Sequence, residues 1–223
     1  KKKKKQIVTI ADRKLPDSLR DKLLSYNYGP GVFKIDFALS EPVPWLNEEC
    51  KKAGTLHLGG TMQELVHAEK EVWDGIHSTN PYVLISQPSL FDDSRAPKGK
   101  HVLWSYCHVP NGSKENMEKQ IIDQIERYAP GFRDTIISFS SMTAMDFEKY
   151  NPNYIGGDIN GGAQNLKQLF GRPLIKWDPY KLPVENLYIC SSSTPPGGGV
   201  HGMSGFNAAR SVLKNEFGIK LSL

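Results

Sequence analysis

Residues 32–39 limit the possible folds strongly, because large apolar side chains recur there at every second position. The apolar set consists of Phe33, Ile35, Phe37 and Leu39. A period of two residues is that of a β-strand, and apolar side chains on one face are typical of an antiparallel sheet with one covered face. We therefore expect a sheet with one packed and one polar face.

Helical elements are predicted by apolar spacing and by end signals. Thr61 and Glu64 form a capping-box pattern ahead of an apolar helical face, and Gly75 ends that helix. An apolar stripe predicts a second helix over 113–128. Further elements are expected as follows: strands over 6–10, 82–86 and 102–109, and helices over 16–26 and from 202 onwards. The fold class is α/β (α+β) with a mostly antiparallel or mixed sheet.

Composition and charge are those of an ordinary globular chain, with 39% hydrophobic and 23% charged residues among 223. The formal net charge is +4, and Lys1–Lys5 contribute more than all of it. This tail is expected to be solvated, although a lysine run also attracts nucleic acid or anionic lipid. The sequence shows no apolar run long enough to span a membrane and no signal peptide, so a cytoplasmic location is expected.

Metal and nucleophile chemistry is not expected. The six histidines show no ligand spacing, the three cysteines lie far apart, and the serine run 191–193 lacks the G-x-S-x-G pattern. These absences argue against a metal site, a disulfide framework and a hydrolase elbow.

A glycine-rich turn stands near the end of the sequence, where Gly197, Gly199 and Gly202 spell G-x-G-x-x-G. The match to a Rossmann fingerprint is weak, because residues 191–196 separate these glycines from the strand predicted over 186–190. A glycine turn that enters a helix still suits a phosphate group, since unpaired N–H groups point at the ligand. An ordinary loop before a helix is the alternative.

Two titratable residues in glycine-rich segments are candidates for contact with a ligand. His201 lies inside the turn, and Asp158 is bracketed by glycines in the loop over 154–162. Each has a purely structural alternative, which is ring packing for the histidine and local hydrogen bonding for the aspartate.

Residues 186–210 closely resemble the C-terminal flavin signature of phytoene dehydrogenase-like oxidoreductases, the family of carotenoid desaturases and retinol saturase. In that family a strand leads to a proline- and glycine-rich turn and then to a helix that carries small residues. Further similar segments are 28–36, 42–45, 58–61, 87–91 and 151–158.

The resemblance implies a cofactor, a substrate class and a division of the chain. It implies FAD, bound by Ser192, Thr194, Gly198, Gly199, Val200, His201, Gly202 and Met203. It implies hydride transfer between flavin and a carbon–carbon bond of an apolar, isoprenoid-like substrate, with His201 and Asp158 as candidate catalytic residues. Residues 1–5 would be a tail, 6–150 a substrate-binding domain, and 151–223 a segment that completes the FAD domain with a strand, a turn and a helix.

The family's N-terminal G-x-G-x-x-G unit is absent from this sequence. The chain therefore resembles the C-terminal portion of a longer enzyme, with the N-terminal Rossmann portion as its partner, and is expected to be inactive alone. Two alternatives stay open: a non-catalytic module that binds a phosphate-bearing ligand, and a peripheral binder that holds an anionic membrane or nucleic acid through its lysine tail.

Overall fold

The computed structural model describes residues 6–166, 168 and 171–221, without the side chain of Asp12. The chain divides into two compact units, Pro30–Lys149 and the combination of Lys1–Gly29 with Tyr150–Leu223. Each unit has its own cluster of buried apolar residues. The lysine tail over residues 1–5 lies outside the described residues. The roles assigned to residues 6–150 and 151–223 stay predictions.

The unit Pro30–Lys149 is built on a five-stranded sheet. Its strands are β1 (Gly31–Leu39), β2 (Leu56–Leu58), β3 (Val83–Ser86), β4 (His101–Val109) and β5 (Ile136–Met142). The strand order is β2-β3-β4-β1-β5, and every neighbouring pair is antiparallel. The predicted antiparallel sheet is confirmed.

The central strand β1 buries one of its two faces, as the alternation of its apolar residues predicts. Its apolar side chains Phe33, Ile35, Phe37 and Leu39 are at most 2% exposed. They share a cluster with residues of helix α4 (Glu118–Tyr128). Helix α4 begins later than residue 113, because local side-chain hydrogen bonds to the N–H groups of residues 115 and 118 favour turns instead.

Helix α3 (Met62–Trp73) begins with the predicted capping box. Thr61 Oγ1 accepts the Glu64 N–H at 3.2 Å, and Glu64 Oε2 accepts the Thr61 N–H at 2.7 Å. Arg127 Nη1 donates to the other carboxylate oxygen of Glu64 at 2.8 Å. Two N–H groups that a helix end leaves without partners are satisfied in this way.

We expect the capping box to weaken at acid pH. The hydrogen bond from Arg127, followed by those from Thr61, lowers the pKa of Glu64 to about 2. A lowered pKa in the folded state stabilises the fold above the ordinary glutamate pKa, and this stabilisation is lost as the pH falls through the folded value. Thermal unfolding of Glu64→Gln should show a deficit against wild type at neutral pH that vanishes near pH 2. A deficit independent of pH would contradict the ionised cap.

The other unit is mainly helical and loop-rich where it is described. It contains α1 (Gln6–Ile10) and α2 (Asp17–Leu24), and its last helix is α7 (Met203–Phe217). Two short helices lie earlier in the chain order, α5 (Phe132–Thr135) within the sheet unit and α6 (Ala144–Tyr150) at the boundary. The helices predicted over 16–26 and from residue 202 onwards are confirmed.

The strand predicted over 6–10 is wrong, because these residues form α1. A strand needs a neighbouring strand for its hydrogen bonds, and the described part of this unit contains no strand. Helical backbone satisfies its own N–H groups and still buries Val8, which is 1% exposed, in the cluster with Leu23 and Leu182.

The strand predicted over 186–190 is also wrong, since only an isolated bridge joins Lys181 to Tyr188. The Ile189 N–H donates to Tyr180 O at 2.9 Å, and the Leu182 N–H donates to Leu187 O at 3.0 Å. On one side the chain turns back at residues 183–186, and on the other side Pro179 has no N–H to extend a ladder. The predicted strand-turn-helix is therefore an irregular segment, a turn and a helix.

Helix α7 follows Gly202, whose φ of +65° places it in the left-handed region. Ser204, Ala208 and Ser211 form the buried face of the helix, and Gly218 ends it. None of the helices in the described ranges has the length and apolar character needed to cross a membrane.

Candidate functional site

The predicted cofactor turn begins at a residue that hydrogen bonds hold in place. Thr194 is fully buried, and its hydroxyl donates to Ser191 O at 2.7 Å. The Gly197 N–H donates to Thr194 O at 2.9 Å, which closes a tight turn. From Gly199 to Met203 the residues are exposed, and the Val200 side chain projects fully into solvent. The segment therefore has a fixed entry and an accessible tip.

The buried guanidinium of Arg172 lies directly beneath this turn. Arg172 is 1% exposed, and its Nη1 donates to Ser192 O at 2.8 Å. A Cβ placed on Gly197 would lie 3.0 Å from the same Nη1, and the φ of Gly197 is +107°. Position 197 therefore requires glycine on both counts, because a side chain would press on the guanidinium and strain the backbone.

Arg172 also holds the glycine-rich loop before it. Its Nη2 donates to Gly162 O at 3.0 Å and to Ala163 O at 3.1 Å. Sequence reasoning missed this residue, because a single arginine among turn residues has no periodicity or motif. Its position between a glycine and a proline, in a segment with few charges, was the only available signal.

Asp158 is buried completely and accepts two backbone hydrogen bonds. Its Oδ2 accepts the Gly29 N–H at 2.7 Å, and its Oδ1 accepts the Asn160 N–H at 2.7 Å. Both oxygens thus have partners within the unit, and these bonds tie the loop 158–162 to the segment after α2. The structure gives Asp158 a local role, while its predicted catalytic role stays a prediction.

Tyr26 fits against the same loop, and its hydroxyl donates to Gly161 O at 3.1 Å. Burial raises the pKa of the Tyr26 phenol, the positive charge of Arg172 lowers it, and the negative charge of Asp158 raises it further. The phenol therefore stays protonated beyond its ordinary range. These three side chains form one buried polar group around the loop over 161–163.

His201 has a local partner rather than a neighbouring acid or base. Its Nδ1 accepts the Met203 N–H at 3.0 Å, so the ring satisfies one N–H group at the start of α7. Nδ1 must be unprotonated in this bond, which leaves any proton of the neutral ring on Nε2. The ring itself is exposed, and its predicted contact with a cofactor stays a prediction.

A cavity of about 580 Å³ opens beside the segment that precedes the turn. Its lining includes Tyr28, Tyr154, Cys190, Ser191, Ser192 and Ser193. Hydroxyl groups and aromatic rings at one cavity wall suit an organic ligand with polar substituents. Ser192 is the predicted cofactor residue that reaches this cavity.

The structure thus places the predicted cofactor residues along one continuous path. Thr194 is buried, Ser192 and Gly198 are half-buried, and the remaining five are exposed, namely Gly199, Val200, His201, Gly202 and Met203. Gly198 lies against the Asp158 loop, since a Cβ on it would lie 3.0 Å from Asn160 Oδ1. Within the described ranges no group of three His, Cys, Asp or Glu residues could hold a metal ion.

Comparison with known proteins relates the chain to oxidoreductases, although it matches no protein-family model. It is 32% identical over 185 residues to pyridine nucleotide-disulfide oxidoreductase domain-containing protein 2 of Rattus norvegicus, over 77% of this chain and 31% of that protein. It is 31% identical to the 4,4'-diapolycopen-4-al dehydrogenase of Metabacillus indicus, over 55% of this chain and 25% of that protein. It is 24% identical to the phytoene desaturase (lycopene-forming) of Pseudescherichia vulneris, over 83% of this chain and 37% of that protein.

A solved structure supports the fold. The crystal structure of an oxidoreductase from Methanosarcina mazei superposes with a TM-score of 0.53 at 15% identity, over 94% of this chain and 40% of that chain. At this identity the similarity concerns the fold alone. The chain spans about a third of the length of the first curated relatives it matches.

Proposed function

We propose that this chain forms the C-terminal, flavin-contacting part of an FAD-dependent oxidoreductase of the phytoene dehydrogenase-like type. The relatives named for oxidoreductase, dehydrogenase and desaturase activities support the reaction class. The proposed reaction is hydride transfer between flavin and a carbon–carbon bond of an apolar, isoprenoid-like substrate. The proposed partner is the N-terminal Rossmann portion of the same protein.

The observation that carries the proposal is the accessible glycine turn held over a buried cation. Gly197 and Gly198 approach Arg172 and Asn160 so closely that a Cβ on either would lie 3.0 Å from a polar atom. The Nε of Arg172 is buried without a hydrogen bond in the described structure. A narrow backbone turn and a positive charge beneath it fit a cofactor that carries phosphates.

The chain's own residues would bind and orient the cofactor. Residues 192–203 would run beside the pyrophosphate, ribitol and ring system, and the N–H groups at the start of α7 would face an anionic oxygen. FAD, when bound, supplies the hydride acceptor or donor. No residue of the turn is assigned as a base by this proposal, because His201 already accepts the Met203 N–H.

A flavin titration with two glycine variants tests the proposal. The visible absorbance of FAD would be followed with the chain alone and with the chain mixed with its separately produced N-terminal portion. We expect a bound-flavin spectrum with both parts, and a dissociation constant raised about tenfold or more by Gly199→Ala, because its φ of +138° and the nearby His201 ring exclude a side chain.

Gly218→Ala is the matched control, since Gly218 also has a positive φ but no atom within 4 Å of a Cβ. Flavin affinity should be unchanged in this variant. The absence of a flavin spectrum in every mixture would overturn the proposal. Binding of a phosphate-bearing ligand without flavin would then favour the non-catalytic module.

A further inference from the structure

Arg172 links two segments that are far apart in sequence at the entry to the turn. Its two terminal nitrogens donate to the carbonyls of Gly162, Ala163 and Ser192 within 2.8–3.1 Å. A guanidinium is planar and its donors have fixed directions, so three such bonds set the relative positions of the carbonyl groups. Arg172 therefore joins the start of the turn to the loop over 161–163, which Tyr26 and Asp158 also hold.

The guanidinium of Arg172 makes no direct ion pair, although the buried carboxylate of Asp158 acts on the same Tyr26 phenol. Among the residues that the structure describes, no carboxylate lies within 4 Å of the guanidinium, and its buried Nε has no hydrogen-bond partner. A buried charge without a directly paired counter-charge is costly, so the site gains from an anion placed close by. Gly197, whose missing side chain permits close approach, is the backbone that covers the guanidinium.

We propose that Arg172 is the positioning residue of the cofactor turn. Its hydrogen bonds to Ser192 O on one side and to Gly162 O and Ala163 O on the other hold the start of the turn against the loop over 161–163 before a ligand arrives, and its charge favours a ligand with phosphates. The identity of that ligand rests on the proposed function, whereas the preformed shape is a property of this chain alone.

Amide hydrogen exchange of the chain without ligand tests the preformed shape. In Arg172→Met, the hydrogen-bonded amides of residues 163, 193, 194 and 197 should exchange about tenfold faster or more, because Arg172 no longer holds the neighbouring carbonyl groups in place. The amides of the unit Pro30–Lys149 should keep their rates. Arg20→Met is the matched control, the same substitution in the same unit on α2, and should leave the turn unchanged.

Two further variants keep the test decisive if Arg172→Met fails to fold. The amide exchange rates of the turn in Arg172→Lys should lie between those of wild type and Arg172→Met. A lysine ammonium can donate to some of the carbonyl groups, but it lacks the planar guanidinium geometry. Gly197→Ala should loosen the same amides from the other side of the contact. A uniform acceleration throughout the unit in all variants, or an unchanged turn, would overturn the positioning role.

The preference for phosphates is tested on the two-part protein with two probes. Arg172→Met should weaken binding of FAD about tenfold or more and that of riboflavin, which has no phosphate, by a smaller factor. An equal loss of affinity for FAD and riboflavin would overturn the proposal that the charge of Arg172 favours phosphates. If the wild-type protein binds neither flavin, the proposed function fails, while the exchange experiment still decides the role of Arg172.

Discussion

Gly162→Ala should lower the free energy of unfolding of its unit by about 3–5 kcal/mol, because the new methyl group would collide with Tyr26 and strain the backbone. The ideal Cβ would lie 2.0 Å from the Tyr26 hydroxyl oxygen and 2.5 Å from two ring carbons. The φ of Gly162 is +141°, in the region that favours glycine. Amide exchange under native conditions measures the loss within this unit.

Gly218→Ala is a control without a collision. Gly218 has a φ of +68° in the left-handed helical region and no atom within 4 Å of a Cβ, so a loss of about 1 kcal/mol in the free energy of unfolding is expected. If both variants lost equal stability, the contact between Tyr26 and Gly162 would be disproved. The double variant Tyr26→Ala, Gly162→Ala should lose less than the sum of the single changes, because the collision is then removed.

Asp158→Asn should lower the free energy of unfolding by about 2–4 kcal/mol. The carboxylate accepts hydrogen bonds from two buried N–H groups, whereas an amide can accept through its oxygen only. Both bonds are 2.7 Å long, from Gly29 and Asn160, and Asp158 is 0% exposed. The amide nitrogen would face one of these donors. Urea unfolding followed by circular dichroism, with exchange rates read in each unit, measures the loss.

Asp17→Asn is the control on the same unit. Asp17 is an exposed residue at the start of α2 that pairs with Arg20 at 2.9 Å, so less than about 1 kcal/mol is expected. A large fall in turnover of the flavin-loaded protein with unchanged stability of Asp158→Asn would contradict the structural role. Such a result would instead favour the catalytic role predicted for Asp158.

The comparisons show similarity to oxidoreductases, and the finer content of the family resemblance stays proposed. The turn segment carried the resemblance because it combines prolines, glycines and a following helix in one short stretch. Such a motif is readable without a structure, since its residues are adjacent in the chain. FAD, the substrate class and the individual cofactor contacts remain for the flavin titration to test.

Local signals alone determined several elements of this protein. The alternation of β1, the capping box of α3 and the glycine before α7 each act through neighbours in sequence, so the sequence was sufficient to predict them. Their hydrogen bonds or packing faces follow from a period or from an end signal. The order of the strands in the sheet needed the tertiary structure.

Tertiary structure decided the two segments where prediction failed and the residues beneath the turn. Residues 6–10 and 186–190 have strand-like composition, but a strand exists only where another backbone offers matching N–H and C=O groups. Arg172 acts through carbonyls 9, 10 and 20 positions away, and Asp158 through an N–H 129 positions away. Such partners carry no sequence pattern, because backbone groups are the same at every residue and only the fold brings a particular one within reach.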